Sequence, residues 1–223
     1  MPSVLSREEK VMQVRYNRKT SPKVIGGQVL RKNNHVKTAR LGYVVDRRRP
    51  GKGFMHVLRK KDIHDFVELI PDWNEISEGI ESIVLDSGDE CTDGVYHHFH
   101  TENTGIIYLS AWQKELWREF NDDYFQEHRW IFNALNVTIE SKTHRIESSD
   151  KQEIIWHCYF TESQAKAYTL MHVFLHELGH HIDRLSSCNQ NACNRGEVFA
   201  EHYAVRRFHE LWPSYLRRFG ELY

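Results

Sequence analysis

Apolar positions follow two periods along this chain, and the changes between them outline its elements. Residues 23–30 (KVIGGQVL), 36–46 (VKTARLGYVVD) and 54–58 (FMHVL) are short apolar runs between polar or Gly/Pro turns, which predicts strands. The Arg47-Arg48-Arg49-Pro50-Gly51-Lys52-Gly53 link reads as an exposed basic hairpin loop. Over 62–70 the period becomes helical, with Ile63, Phe66, Val67 and Ile70 on one face and Pro71 closing it. Residues 82–86, 95–101 and 105–111 read as strands, and 112–135 as a long amphipathic helix carrying Leu116, Phe120, Tyr124, His128 and Ile131. Further strands are expected at 137–140 and 153–160. Thr161-Glu162-Ser163-Gln164 then fits a capping box, whose side chains satisfy the free N–H groups of a first turn. The helix that it starts should run to about Ser186. A polar loop follows over 187–195, then a helix over 196–212 stopped by Pro213, and a short terminal helix over 214–222.

These elements predict an α+β fold: a mixed sheet, a backing helix over 112–135, a helix over 162–186 and a small helical C-terminal lobe. The chain has 223 residues with 40% hydrophobic side chains, enough for one domain with a sizeable core. No run approaches the ~18 apolar residues of a membrane span, and the first residues lack the apolar stretch of a secretory signal. Four cysteines are too few for a disulfide scaffold at this length, so a cytoplasmic, reducing setting is the default and Cys188 and Cys193 are expected as free thiols, with a disulfide or redox pair between them left open. Secretion by another route stays open. The formal net charge of −1 conceals a division: residues 1–61 hold 17 of the 30 Lys/Arg but 3 of the 31 Asp/Glu. We therefore expect a basic, β-rich N-terminal segment at 1–61 and a main domain at 62–223. The basic segment would bind nucleic acid or an acidic partner, or neutralise the acidic remainder of its own chain.

The chemistry gathers in 168–185, YTLMHVFLHELGHHIDRL. His176-Glu177-Leu178-Gly179-His180 is an H-E-x-x-H sequence, and its two histidines, four residues apart, share one helical face. Imidazoles at that spacing can both reach one Zn²⁺ at roughly 2.0–2.1 Å, with Glu177 beside them to take a proton. Leu170, Met171, Phe174, Leu178, Ile182 and Leu185 form an apolar stripe, so the helix belongs to the core. Buried polar groups in such a helix require partners. A catalytic zinc needs a third protein ligand and one open position. Seventeen residues past His180 comes Glu197-Val198-Phe199-Ala200-Glu201, with the two glutamates on one helical face. Glu197 is assigned as the ligand and Glu201 as the carboxylate orienting a ligand imidazole. The reverse assignment stays open.

H-E-x-x-H followed by E-x-x-A-E on the next helix resembles the gluzincin metallopeptidases, and HELGHHID with EVFAEHYAVRRF is most similar to the anthrax lethal-factor-like and Pro-Pro endopeptidase-like group. The likeness covers roughly residues 160–210. It implies a zincin-like fold, one Zn²⁺ on His176, His180 and Glu197, Glu177 as catalytic base, and a peptide or protein substrate. That group carries a catalytic Tyr seven residues before the ligand Glu, where this chain has Gln190. Oxyanion support must then come from elsewhere, and His202, Tyr203, His172 and Tyr168 are the candidates. Asp183 is either a second carboxylate behind the ligands or half of a surface salt bridge. Zincins bind peptides along a sheet edge, and 105–111 and 153–160 are the candidate edge strands. The alternatives are a non-peptidase zinc amidohydrolase and a non-catalytic zinc protein working through its basic segment. His97, His98 and His100 are expected on a half-exposed strand rather than around a second metal.

Overall fold

The capping box forms as expected: the Gln164 N–H donates to Thr161 Oγ1 at 3.2 Å, and the Thr161 N–H donates to Gln164 Oε1 at 2.8 Å. In this computed structural model the described residues are 24–25, 28–29, 42–88, 92–145, 152–186 and 195–222. Residues 1–23, 26–27 and 30–41 of the basic segment 1–61 lie outside them, as do Gln190, Cys188 and Cys193. The chain divides into compact units Met1–Val36 and Lys37–Tyr223. In the first, β1 (Val24–Ile25) pairs antiparallel with β2 (Gln28–Val29).

The second unit is α+β. Its main sheet has the order β3 (Val44–Arg47), β5 (Ile80–Leu85), β7 (Thr104–Leu109), β6 (Gly94–Phe99). The first three are parallel and β6 runs antiparallel at the edge. A second sheet has β11 (Gln152–Tyr159) between β10 (Thr138–Arg145) and β9 (Trp117–Asn121). β4 (Phe54–Met55) pairs with β8 (Trp112–Gln113). Both expected edge strands are therefore interior, because 105–111 contains β7 and 153–160 contains β11; the edge beside the motif helix is β6. Nor is 47–53 a hairpin, since β3 and β4 join different sheets. The expected division at residue 61 falls inside the second unit. Tyr43, Val45, Val57 and Leu58 are buried in one core with Ile83 and Ile107, so residues 42–61 belong to it.

Helix α1 (Lys60–Val67) and the short α2 (Trp73–Ile76) precede β5. The expected long helix begins ten residues late: α3 spans Asp122–Ala134, and β8 and β9 take its first part. Leu116 adopts φ 53°, which breaks a helix, and Asn121 caps α3 by accepting from the Tyr124 N–H. The motif helix is α4 (Glu162–Tyr168), a π-helical segment (Thr169–Phe174) and α5 (Leu175–Ser186). At the start of the wide turn, Thr169 Oγ1 donates to the Ala165 carbonyl at 2.8 Å and accepts from Trp112 Nε1 at 2.9 Å. The last helix, α6, is continuous over Gly196–Phe219 with Pro213 inside it. Proline costs a helix about 3 kcal/mol. Here Phe208, Trp212, Tyr215 and Phe219 stack successively and Leu211 and Tyr215 are buried, which offsets that cost.

The face of α5 towards the sheet is fastened through His181, which is fully buried. Its Nε2–H donates to the Glu78 carbonyl at 2.9 Å, so Nδ1 accepts from the Tyr96 hydroxyl at 2.9 Å, and that oxygen accepts from Arg184 Nε at 2.9 Å. Burial, then the Arg184 charge, push His181 from 6.5 down to about 4. Its contribution to stability is present above pH 6.5 and is lost as the pH falls towards 4, because the unfolded chain binds the proton first. Between pH 7 and pH 5 this amounts to about 2 kcal/mol. Urea unfolding of His181→Gln should show a pH dependence shallower by that amount; equal slopes would remove His181 as the cause.

Candidate metal centre

Helices α5 and α6 approach so closely that Gly179 has no room for a side chain. A Cβ there would lie 2.8 Å from Ala200 Cα and 3.1 Å from its carbonyl oxygen. This helix contact is the structural reason for a glycine between the two histidines. Asp183 fixes the start of α6: its buried carboxylate accepts from the N–H of Arg195 at 2.8 Å and of Gly196 at 3.1 Å, and from Arg195 Nε at 2.7 Å. Burial works to raise the Asp183 pKa, but these donors outweigh it and lower it. Asp183 does form a salt bridge, to the half-exposed Arg195, but from a buried position that anchors the helix carrying Glu197.

The contact sets the glutamates of α6 against the histidines of α5 like rungs. Donor atoms of His176, His180 and Glu197 all lie within 4.8 Å of one another. Glu197 Oε2 is 3.0 Å from His176 Nε2 and 3.5 Å from His180 Nε2. Glu201, weighed as the alternative ligand, meets His176 from the other side, its Oε2 3.3 Å from Nδ1. A carboxylate can only accept, so Nδ1 carries a proton, and in the neutral ring Nε2 is the lone pair that faces Glu197. That contact is satisfied either by a second proton on the ring or by a cation between the two groups. Burial opposes the imidazolium form of His176, yet the Glu201 bond and the nearby Glu177 and Glu197 raise its pKa overall. Burial, then the His176 charge, lower that of His180.

Glu177 stands beside this group, buried, where Gly94 of β6 allows a close approach. A Cβ on Gly94 would meet Val173 Cγ1 at 2.5 Å and Glu177 Cγ at 3.2 Å. Burial pushes the Glu177 carboxyl up to about 7, against the His176 charge and the Tyr96 N–H, which act downwards. Glu201 is its opposite. Burial raises it too, but bonds from His128, His172 and His176 drive it far below the usual carboxylate range.

A cleft of about 920 Å³ runs over these residues between β6 and the wall formed by β9 and α3. Of the four oxyanion candidates, His172 lines it, with Nε2 3.0 Å from Glu201 Oε2. Tyr168 is buried, its hydroxyl donating to Asp93 Oδ2 at 3.2 Å. Tyr203 packs on α6 beside Arg207 and His202 is exposed, so neither joins the described lining. The residues that sequence reading overlooked come from α3, Tyr124 and His128 on the cleft wall and Trp130 behind it. His128 ends 3.5 Å from Glu201, Trp130 Nε1 donates to Glu201 Oε1 at 3.2 Å, and Tyr124 stacks on His128 with ring centroids 3.8 Å apart. Their signal was present, since Tyr124 and His128 are one turn apart on a helix, but they read as members of its packed face. His97 and His98 lie on β6, a strand of alternating exposure, as expected, whereas His100 is in the turn that follows it.

Compared with protein-family models, curated proteins and solved structures, the chain matches none. Among the described residues no helix is long and apolar enough to cross a membrane.

The substitution Gly179→Ala tests the helix contact. It should cost about 1–3 kcal/mol in thermal unfolding by overpacking and weaken metal affinity by moving Glu197 away. Unchanged affinity in a zinc competition titration would show that the contact does not set the site.

Proposed function

We propose that this chain is a zinc-dependent metallopeptidase of zincin-like fold, with His176, His180 and Glu197 holding one Zn²⁺ and Glu177 acting as general base. The observation that carries the reading is the convergence of two imidazole nitrogens and a carboxylate oxygen beside a buried glutamate poised at about 7. Two nitrogens and one oxygen suit Zn²⁺, and three protein ligands leave a position for water. When bound, the ion acts as a Lewis acid towards that water and the scissile carbonyl.

The chain's own residues supply the remainder. Glu177 takes a proton from the attacking water and returns it to the leaving nitrogen, and a carboxyl near 7 can do both at neutral pH. Glu201 holds the His176 ring through Nδ1, which keeps Nε2 free to coordinate. β6 pairs with β7 alone among the described strands, and Asp93, Gly94, Val95 and Tyr96 line the cleft. An extended peptide can add to that edge, with backbone bonds giving affinity. Glu177 has one backbone donor from β6 already, the Tyr96 N–H. The same strand would therefore position both the base and the substrate.

Glu177→Gln should retain zinc and lower turnover of a peptide library by about 10²–10⁴-fold; full turnover in the zinc-loaded variant would end the assignment. Replacing Glu201 with Ala should weaken zinc binding by about 10–100-fold through the loosened His176 ring. Glu197→Ala should weaken it more. The opposite order in a zinc titration would exchange the roles of the two glutamates.

A further inference from the structure

We infer that a second divalent metal site exists one rung deeper in the cleft, formed by His128, His172 and Glu201. Donor atoms of these three residues all lie within 4.8 Å of one another, and all three are buried. Their geometry repeats that of the first group. Glu201 Oε2 is 3.0 Å from His172 Nε2 and 3.5 Å from His128 Nε2, where Glu197 Oε2 is 3.0 and 3.5 Å from His176 and His180. Ligands held at about 2.0–2.1 Å around a tetrahedral ion are roughly 3.3 Å apart, which both trios bracket.

The tautomers point the same way. His128 Nδ1 lies 2.8 Å from the Tyr124 carbonyl, which can only accept, so Nδ1 carries the proton. The neutral ring then turns a bare Nε2 lone pair towards the Glu201 carboxylate. Oε2 is also shared: nitrogens of His128, His172 and His176 approach it at 3.5, 3.0 and 3.3 Å, while one oxygen offers two lone pairs. Three imidazole protons on that oxygen would oversubscribe it. A cation between His128, His172 and Oε2 resolves the conflict and leaves His176 Nδ1–H as the one proton donor. The His172 ring is held among His128, Trp130 and Tyr168 with Nε2, not the unpartnered Nδ1, turned towards Glu201. His128, His172 and Glu201 all line the cleft, so an ion can reach them from solvent. Two imidazoles and a carboxylate fit Zn²⁺ or Co²⁺. The competing occupant is a proton on His128, and metal counting separates the two.

The site is independent of the peptidase reading, and so is its test. The full chain, loaded with Zn²⁺ and freed of excess, should contain two equivalents by elemental analysis, and Co²⁺ should titrate in two steps. The double variant His180→Ala/Glu197→Ala dismantles the first site at an exposed glutamate and should retain one equivalent. Adding His128→Ala should take the count to zero, and His128→Gln, which can keep the bond to the Tyr124 carbonyl, should weaken Co²⁺ binding at least tenfold. One equivalent in the wild-type chain with none in the double variant, or one equivalent surviving in the triple variant, overturns the second site. Loss of hydrolysis with both equivalents present would count against the proposed activity alone.

Discussion

The site depends on how closely two helices can approach. Gly179 lies against the backbone of Ala200 at a distance that no side chain permits. That approach aligns His180, His176 and His172 of one helix with Glu197 and Glu201 of the next, each glutamate meeting two histidines. Because the sequence numbers fall along one helix as they rise along the other, the pair is antiparallel. A rung mismatch of one turn would put Glu201 where Glu197 is. Asp183 prevents that slip by holding the first N–H groups of α6 against the body of α5. Gly94 performs the same service on the other side, letting β6 close on Glu177.

Local chemistry made part of this legible in the sequence. The capping box around Thr161, the four-residue spacing of His176 and His180, and the matching spacing of Glu197 and Glu201 are short-range signals. Each is set by helix geometry and survives whatever the remainder of the chain does. The apolar stripe likewise requires a buried face, and Leu170, Met171, Phe174 and Leu178 are fully buried. The α+β class followed from the alternation of periods.

The errors share a cause: tertiary pairing decided between local readings that the sequence left nearly equal. Residues 112–121 carry an acceptable helical period, but β9 finds a partner in β11 and Leu116 turns the chain at positive φ. Pro213 is a strong stop signal, and an aromatic stack continues through it. An edge strand is a property of the whole sheet, so 95–101 could not be distinguished from 105–111 in isolation. The role of His128 was hidden for the same reason. It is 44 residues from His172 in sequence, and only the packing of α3 on the motif helix brings both to Glu201.

Glu177 and Glu201 show what that packing accomplishes electrically. Both are buried side chains of one type in one cleft, and burial alone would raise both. Glu177 receives a backbone N–H and the field of His176, too little to offset its desolvation, so its proton remains exchangeable near neutrality. Glu201 receives Trp130 on one oxygen and three imidazoles around the other, and stays charged. The difference lies in the number of nitrogens aimed at each carboxylate, and it divides the labour between them. A group whose proton is mobile can serve chemistry at a neighbouring water. A permanently charged one can hold imidazoles, or a cation, in place. The sequence spells both residues Glu; their different charge states follow from what packs against each, strand β6 on Glu177 and the histidine-bearing helices on Glu201.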